Sequence, residues 1–419
     1  MTSPRSVRDD ELDTPRPIYA VWEITLRCDH ACAHCGSRAG PATRDDELDT
    51  AELLEVADAL IRLGTREVTL IGGEAYLRSD VYRLIEHLAQ GGIRVTMQTG
   101  GRGLTETRTR RLRDAGLAAV GVSIDGTAQI HDTLRASPGS HDAAIRAIRN
   151  ARAAGMVVTS NSQINRLNMH ELPAIAAELE EAGVLVWRGQ LTAPMGRAAD
   201  RPEWIIQPYM ILEIIDTLAE IQAKARARAQ ARGVSEMESF RVTLGNNLGY
   251  YGPHEHQLRS RPDRSDRFFG GCQAGRYVMG IESDGVVKGC PSLPTAPYVG
   301  GNVRDLSLEE IWRSGEAIKF TRERTTDELW GHCATCYYAE ICRAGCSFTS
   351  HSTLGRRGNN PFCYYRADKL KKQGIREVLV QAQRAPGDPY DFGCFELREQ
   401  AWSDELPPVV ERRALPVLS

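Results

Sequence analysis

Six short apolar runs, separated by stretches of helical periodicity, constrain this chain more than anything else in it. They are "YAVWEIT" (19–25), "EVTLIG" (67–72), "RVTMQT" (94–99), "AAVGVSI" (118–124), "VVTSNSQI" (157–164) and "VLVWRGQL" (184–191). Such runs suit pleated, half-buried backbone. Between them, "TAELLEVADALIRLG", "DVYRLIEHLAQGG" and "NMHELPAIAAELEEAG" place apolar residues three and four apart, the spacing of one helix face. Thr50 reads as the cap of the first helix and Gly64 as its stop, with Gly91 and Gly92 stopping the second. Strands alternating with helices predict a parallel sheet of βαβ units. A closed barrel needs eight such units, so six predict an α/β fold of the partial (β/α)6 TIM-like kind. Its active site belongs at the C-terminal ends of the strands.

The chemistry-bearing residues fall at those ends. Cys28, Cys32 and Cys35 follow the first run, and Gly72, Gly73 and Glu74 follow the second. Ser123, Asp125 and Gly126 follow the fourth, while Gln163 and Asn165 follow the fifth. One functional mouth explains polar and glycine-rich residues recurring at the same edge; helix packing does not.

Three thiols in the loop "CDHACAHC" are too many for a disulfide and too few for a structural zinc. A [4Fe–4S] cubane takes one thiolate per iron, so three cysteines leave one iron open. A zinc site completed by His30 or His34 also fits the spacing. The rest of the chain bears on the choice. Its net charge of −3 gives no global pull toward nucleic acid or an anionic membrane. The N-terminus lacks the apolar segment of a signal peptide, and no apolar stretch reaches membrane-spanning length. A cytoplasmic location is expected, where eleven cysteines serve as ligands or reactive thiols more readily than as disulfides. The basic run "AKARARAQARG" (223–233) reads as the solvated face of a helix end.

The C-x3-C-x2-C loop after the first strand, with "GGE" after the second, resembles the radical S-adenosylmethionine enzymes over roughly residues 19–195. The resemblance implies that Cys28, Cys32 and Cys35 hold a [4Fe–4S] cluster whose open iron chelates S-adenosylmethionine. Reductive cleavage then yields a 5′-deoxyadenosyl radical. It further implies that Gly72, Gly73 and Glu74 bind the cofactor's ammonium, although Ala75 stands where the family usually has proline. "GVSIDG" places Ser123 and Asp125 in the strand-four motif, with Ser123 and Arg135 on the carboxylate and His34 in an aromatic slot near the adenine.

Seven further cysteines, Cys272, Cys290, Cys333, Cys336, Cys342, Cys346 and Cys363, are too dense for cytosolic disulfides and suit metal chelation. A zinc-ribbon-like pair fits part of the spacing. The whole order, C-x12-G-x4-C followed by C-x2-C-x5-C-x3-C and a last cysteine, resembles the SPASM extension over residues 266–375. That family's pattern implies two auxiliary [4Fe–4S] clusters. Cys272, Cys290 and Cys346 would hold the first, and Cys333, Cys336, Cys342 and Cys363 the second. The first then lacks a fourth cysteine, leaving an open iron or a ligand such as Asp266, with His254 and His256 as alternatives. Cys394 lies outside both motifs and reads as a free thiol in a C-terminal tail.

The expected organisation is an N-terminal arm (1–18), a barrel (19–205), a bridging helix and loop (206–265), the SPASM domain (266–375) and a tail (376–419). The loop "VTLGNNLGYYGPHEHQL" either lines the substrate mouth or simply connects the two halves. The resemblance implies oxidative modification of a ribosomally made peptide: a thioether or carbon–carbon crosslink, or a related residue oxidation. The expected partners are a flavodoxin or ferredoxin donor and a separate leader-peptide recognition protein, since 1–18 is too short for such a domain. Pro291 after Cys290 argues against a sulfatase maturase, which carries an acid there. A dehydrogenase or epimerase acting on a small molecule or a peptide Cα is the alternative, with a non-catalytic metal protein behind it. No particular catalytic side chain stands out.

Overall fold

A computed structural model describes residues 4–8, 11–42, 44, 46–260 and 267–403. All six expected strands are present: β1 (Tyr19–Glu23), β2 (Glu67–Ile71), β3 (Arg94–Thr99), β4 (Ala119–Ser123), β5 (Val157–Ile164) and β6 (Val186–Leu191). They pair in parallel and in chain order. The crossovers are α1 (Thr50–Arg62), α2 (Val81–Gln90), α3 (Glu106–Asp114), α4 (Ala128–Arg135), α5 (Ser140–Ala153) and α6 (Leu172–Glu181). Asp49, not Thr50, caps α1, accepting from the amides of Ala51 and Glu52 in a capping box closed by Glu52. Asp49 wins because its carboxylate reaches two orphan amides at once.

The sheet extends beyond the six strands at both edges. A short strand β7 (Arg241–Leu244) pairs in parallel with β6, inside the segment expected to hold only a bridging helix and loop. That helix is α7 (Ile211–Ala231). Its basic end is the ion-paired surface expected, with Lys224 on Glu220, Arg226 on Glu236 and Arg228 on Glu180. On the other edge β8 (Val278–Ile281) pairs in parallel with β1, followed by antiparallel β9 (Val286–Lys288) and β10 (Gly301–Asn302). One ten-stranded sheet therefore runs β10-β9-β8-β1-β2-β3-β4-β5-β6-β7, and the cysteine-rich segment grows out of the barrel's own sheet.

Burial alternates along β5 and β6. Val158, Ser160, Trp187 and Leu191 are buried on one face, and Thr159, Asn161, Gln163, Arg188 and Gln190 are half-exposed on the other. A Cβ on Gly189 would meet Leu218 of α7, so the buried face looks to the helices and the polar one to the barrel lumen. Gln98 leans across Gly121, which has no side chain to obstruct it, and accepts from Asn161 on that lumen face.

The described part of the C-terminal tail holds two more strands. Strands β11 (Ile375–Gln383) and β12 (Cys394–Ala401) form an antiparallel hairpin of their own. Their connecting loop turns back into the barrel, with Tyr390 in left-handed backbone at φ 58°. The Tyr390 hydroxyl donates to Glu23 on β1, Asp391 pairs with Arg38 at 2.9 Å, and Phe392 bridges Met195 beyond β6. No helix among the described residues is long and apolar enough to cross a membrane.

Candidate functional site

The cysteine loop is held by backbone from three sides. Gly73 N donates to Thr25 O and Glu74 N to Arg27 O, each at 2.8 Å. A Cβ on Gly72 or Gly73 would lie 2.2 Å from Thr25 O or Arg27 O, so the loop after β2 can dock there only with glycine. Ala33 N reaches Leu134 O at the end of α4, at 2.8 Å. Arg197, beyond β6, donates from its amide to Cys35 O at 2.9 Å and from Nε to Cys32 O at 2.7 Å. Burial pushes the Cys32 thiol up to about 11 although Arg135 opposes it, and burial with Glu74 beside it raises Cys28 further. Buried thiols of this kind become thiolates when a cation sits among them.

Around the loop stands a shell of unspent polar groups. Glu74 is buried and accepts from Thr99 Oγ1 at 2.5 Å and Gly100 N at 2.6 Å. Burial pushes its carboxyl up to about 8. Cys28 Sγ, Asp29 and Glu74 bring ligand atoms within 4.8 Å of one another, a concentration of acidic groups whose ionisation a cation would favour. Asp29 Oδ1 and both ring nitrogens of His30 are buried without a hydrogen-bond partner among the described residues. Such orphans are expected where a polar ligand belongs.

Asp125, fully buried, organises the opposite side. Its Oδ1 accepts from Gln163 N at 2.8 Å, and its Oδ2 meets Arg135 Nη2 at 2.5 Å and His34 Nε2 at 3.2 Å. Burial would raise this carboxyl, but Arg135 and His34 outweigh it and hold it below the usual carboxylate range. The resemblance placed Asp125, His34 and Arg135 toward the cofactor. In the structure the Asp125 oxygens are taken up within the protein, and His34 spends its other nitrogen on Leu134 O at 3.0 Å. Arg135 also reaches Cys32 Sγ at 3.7 Å, and its Nε is buried without a hydrogen-bond partner among the described residues. Ser123 sits at the end of β4, half-exposed and in register with Asn161. His131, which the sequence reading missed, accepts from Asp125 N at 3.1 Å.

The seven C-terminal cysteines lie in two neighbourhoods. Burial and then Cys272 push Cys290 up to about 11 and Cys346 up to about 12. Cys272 and Cys290 pack against Ala274, Leu293, Tyr298 and Phe320. Cys333, Cys336, Cys342 and Cys363 line a separate pocket together with Tyr250, Tyr251 and Tyr338. Burial followed by Cys333 pushes Cys363 up to about 12. The Tyr-rich loop after β7 thus lines this pocket: Tyr250 accepts from Cys346 N at 3.1 Å, and Tyr251 stacks on Tyr338. Its run of Gly, Asn and Tyr gave no sign of that partner. Asp266 lies outside the described residues. His254 lies 3.6 Å from Asp216, and Cys394 sits in β12 beside Gly355, away from both sets.

Comparison with known proteins agrees with this layout. The family model described as the radical SAM superfamily matches residues 22–179, and the one described as an iron–sulfur cluster-binding domain, SPASM, matches 272–337. An AdoMet-dependent heme synthase from Nitratidesulfovibrio vulgaris is 28% identical over 371 residues, covering 88% of this chain and 96% of that protein. The mycofactocin maturase MftC from Mycobacterium tuberculosis is 29% identical over 372 residues, covering 87% of each. Among solved structures, anSMEcpe with bound AdoMet superposes with a TM-score of 0.65 at 16% identity, over 84% of this chain and 94% of that one. Streptococcus suis SuiB bound to S-adenosylmethionine gives 0.61 at 15% identity, over 84% and 76%. The cofactors are a [4Fe–4S] cluster with S-adenosylmethionine and two auxiliary [4Fe–4S] clusters, for which the three thiol groups and the orphaned polar shell fit. This chain thus carries a radical S-adenosylmethionine domain at residues 22–179 and a C-terminal SPASM iron–sulfur domain at 272–337.

Proposed function

We propose that the chain is a radical S-adenosylmethionine oxidoreductase that oxidatively modifies a ribosomally made peptide, forming a thioether or carbon–carbon crosslink or a related oxidised residue. Cys28, Cys32 and Cys35 hold the cluster, and Gly72, Gly73, Glu74, Ser123 and Arg135 receive the amino acid end of the cofactor. Bound there, cluster and cofactor supply a radical that takes a hydrogen atom from substrate. His34 and Asp125 keep Arg135 in place. Glu74, buried and short of cations, suits the ammonium. Cys272, Cys290 and Cys346, with Cys333, Cys336, Cys342 and Cys363, hold the auxiliary groups.

The observation that carries the peptide reading is the lumen wall. Thr159, Asn161, Gln163 and Gln190 present hydroxyls and amides, with Arg188 among them, on the half-exposed face of β5 and β6. Amide-rich walls match the donors and acceptors of peptide backbone. A flavodoxin- or ferredoxin-like donor and a separate leader-recognition protein belong to this reading. A tetrapyrrole substrate is the second reading, favoured by the heme synthases among the relatives. The test is anaerobic incubation of the reduced, loaded enzyme with the short peptide encoded beside its gene, and separately with iron coproporphyrin. Loss of two hydrogens from the peptide supports the first reading, and conversion of the porphyrin alone overturns it in favour of the second.

A further inference from the structure

The two C-terminal thiol groups sit in unequal electrostatic surroundings. Beside the first stands Arg324, only 4% exposed. Its Nη1 donates to Ser347 Oγ, next to Cys346, at 3.2 Å. Its Nε and Nη2 have no hydrogen-bond partner among the described residues. Glu328 lies 3.4 Å from that Nε but is engaged by Arg357, through Nε at 2.9 Å and Nη2 at 3.1 Å. Cys272 is the acidic group that acts most strongly on Arg324. Two guanidiniums therefore share one carboxylate beside three thiols. Tyr298 and His351 bond each other at 2.9 Å in the same region, and Lys288, near Cys290, is spent on Glu282.

Beside the second group the balance is reversed. Arg366 acts on Cys333 and Cys363, but Glu377 takes its Nε at 2.7 Å and its Nη2 at 2.5 Å, while Asn359 takes Nη1 at 2.6 Å. Four thiols thus face a guanidinium already matched by a buried carboxylate. Arg324 also acts on Cys333, but less than Arg366 does.

An iron–sulfur group's reduction potential rises with nearby positive charge and with hydrogen bonds to its sulfurs. We infer that the first auxiliary group, held by Cys272, Cys290 and Cys346, is the easier of the two to reduce, and that Arg324 is the positioning residue that makes it so. Its Nε and Nη2 have no hydrogen-bond partner among the described residues, which leaves them available to that group. The inference rests on the cluster assignment above.

The experiment uses the full chain with Cys28, Cys32 and Cys35 replaced by alanine, loaded anaerobically, so that only the auxiliary groups report. Iron analysis comes first: well under roughly eight irons per chain overturns the cluster assignment and the inference with it, whereas full loading leaves the potentials to test Arg324 alone. With iron present, a redox titration followed by electron paramagnetic resonance should give two midpoint potentials. Arg324→Met should lower the higher one and leave the lower one in place, whereas Arg324→Lys should retain most of the difference. Glu328→Gln should move the higher potential upward, a change of opposite sign that does not depend on the methionine variant assembling its clusters. Unchanged potentials in Glu328→Gln, or movement of the lower potential in an Arg324 variant, would overturn the inference.

Discussion

Replacing Glu23 by glutamine should make the protein's stability less sensitive to pH, by an amount the structure allows to be worked out. Glu23 ends β1 at 1% exposure, bonded to Ser283 Oγ at 3.0 Å and to the Tyr390 hydroxyl, with Arg44 at 3.6 Å. Burial pushes its carboxyl up to about 7, with Arg44 opposing and Glu282 reinforcing. The ordinary value is 4.5. A folded-state value raised above the unfolded one gives stability that is fully present below pH 4.5 and lost as pH rises through 7. A gap of that size corresponds to about 3 kcal/mol, good to about a pKa unit either way. Glutamine does not titrate, so the variant should gain about 3 kcal/mol on the parent between pH 4.5 and pH 8. Any change in the bonds to Tyr390 and Ser283 adds a constant offset and leaves this slope intact. The assay is urea or thermal unfolding of both loaded proteins, without oxygen, across that range. For a chain of this size 1 kcal/mol moves the midpoint by about 2 °C. A parent–variant difference that stays flat with pH would refute the reasoning.

Gly73→Ala places a Cβ against Arg27 O and should abolish cofactor cleavage while circular dichroism stays near that of the parent, because the clash falls on the cysteine loop and not on the core. Asp391→Ala frees the hairpin loop from Arg38 and from the Gly387 amide, and should raise amide hydrogen exchange through 387–393 with little change in β5 or β6. Cys363→Ser should lower iron content by roughly four atoms per chain and leave the Cys28 loop able to cleave the cofactor; loss of cleavage would tie the pocket to the barrel.

The barrel was legible because its periodicity is strong and its glycines sit where only glycine fits. Gly72 and Gly73 announce a close approach of two loops, and the structure supplies the carbonyls they approach. The two cysteine sets were legible from spacing set beside a known family. What stayed hidden depends on pairing across long distances. Strand β7 is four residues long, too short for a pattern to emerge, and it exists because β6 offers an edge. Nothing local to Arg324, Tyr250 or Glu23 says that they face Ser347, Cys346 and Tyr390. Asp125 was placed toward the cofactor by its strand-four motif, whereas its burial and its contacts with Arg135 and His34 are tertiary facts.

The loop joining β11 and β12 touches β1 through Tyr390, the cysteine loop through Arg38 and the segment beyond β6 through Met195, so it ties the first strand to the far side of the barrel. On the ribosome this segment is made long after Cys28, Cys32 and Cys35 have emerged. The nascent barrel must wait, with its gap unfastened, until residues 390–392 arrive. Until then Arg38, just past Cys35, lacks its Asp391 partner, so the first thiols emerge on a loop without that brace.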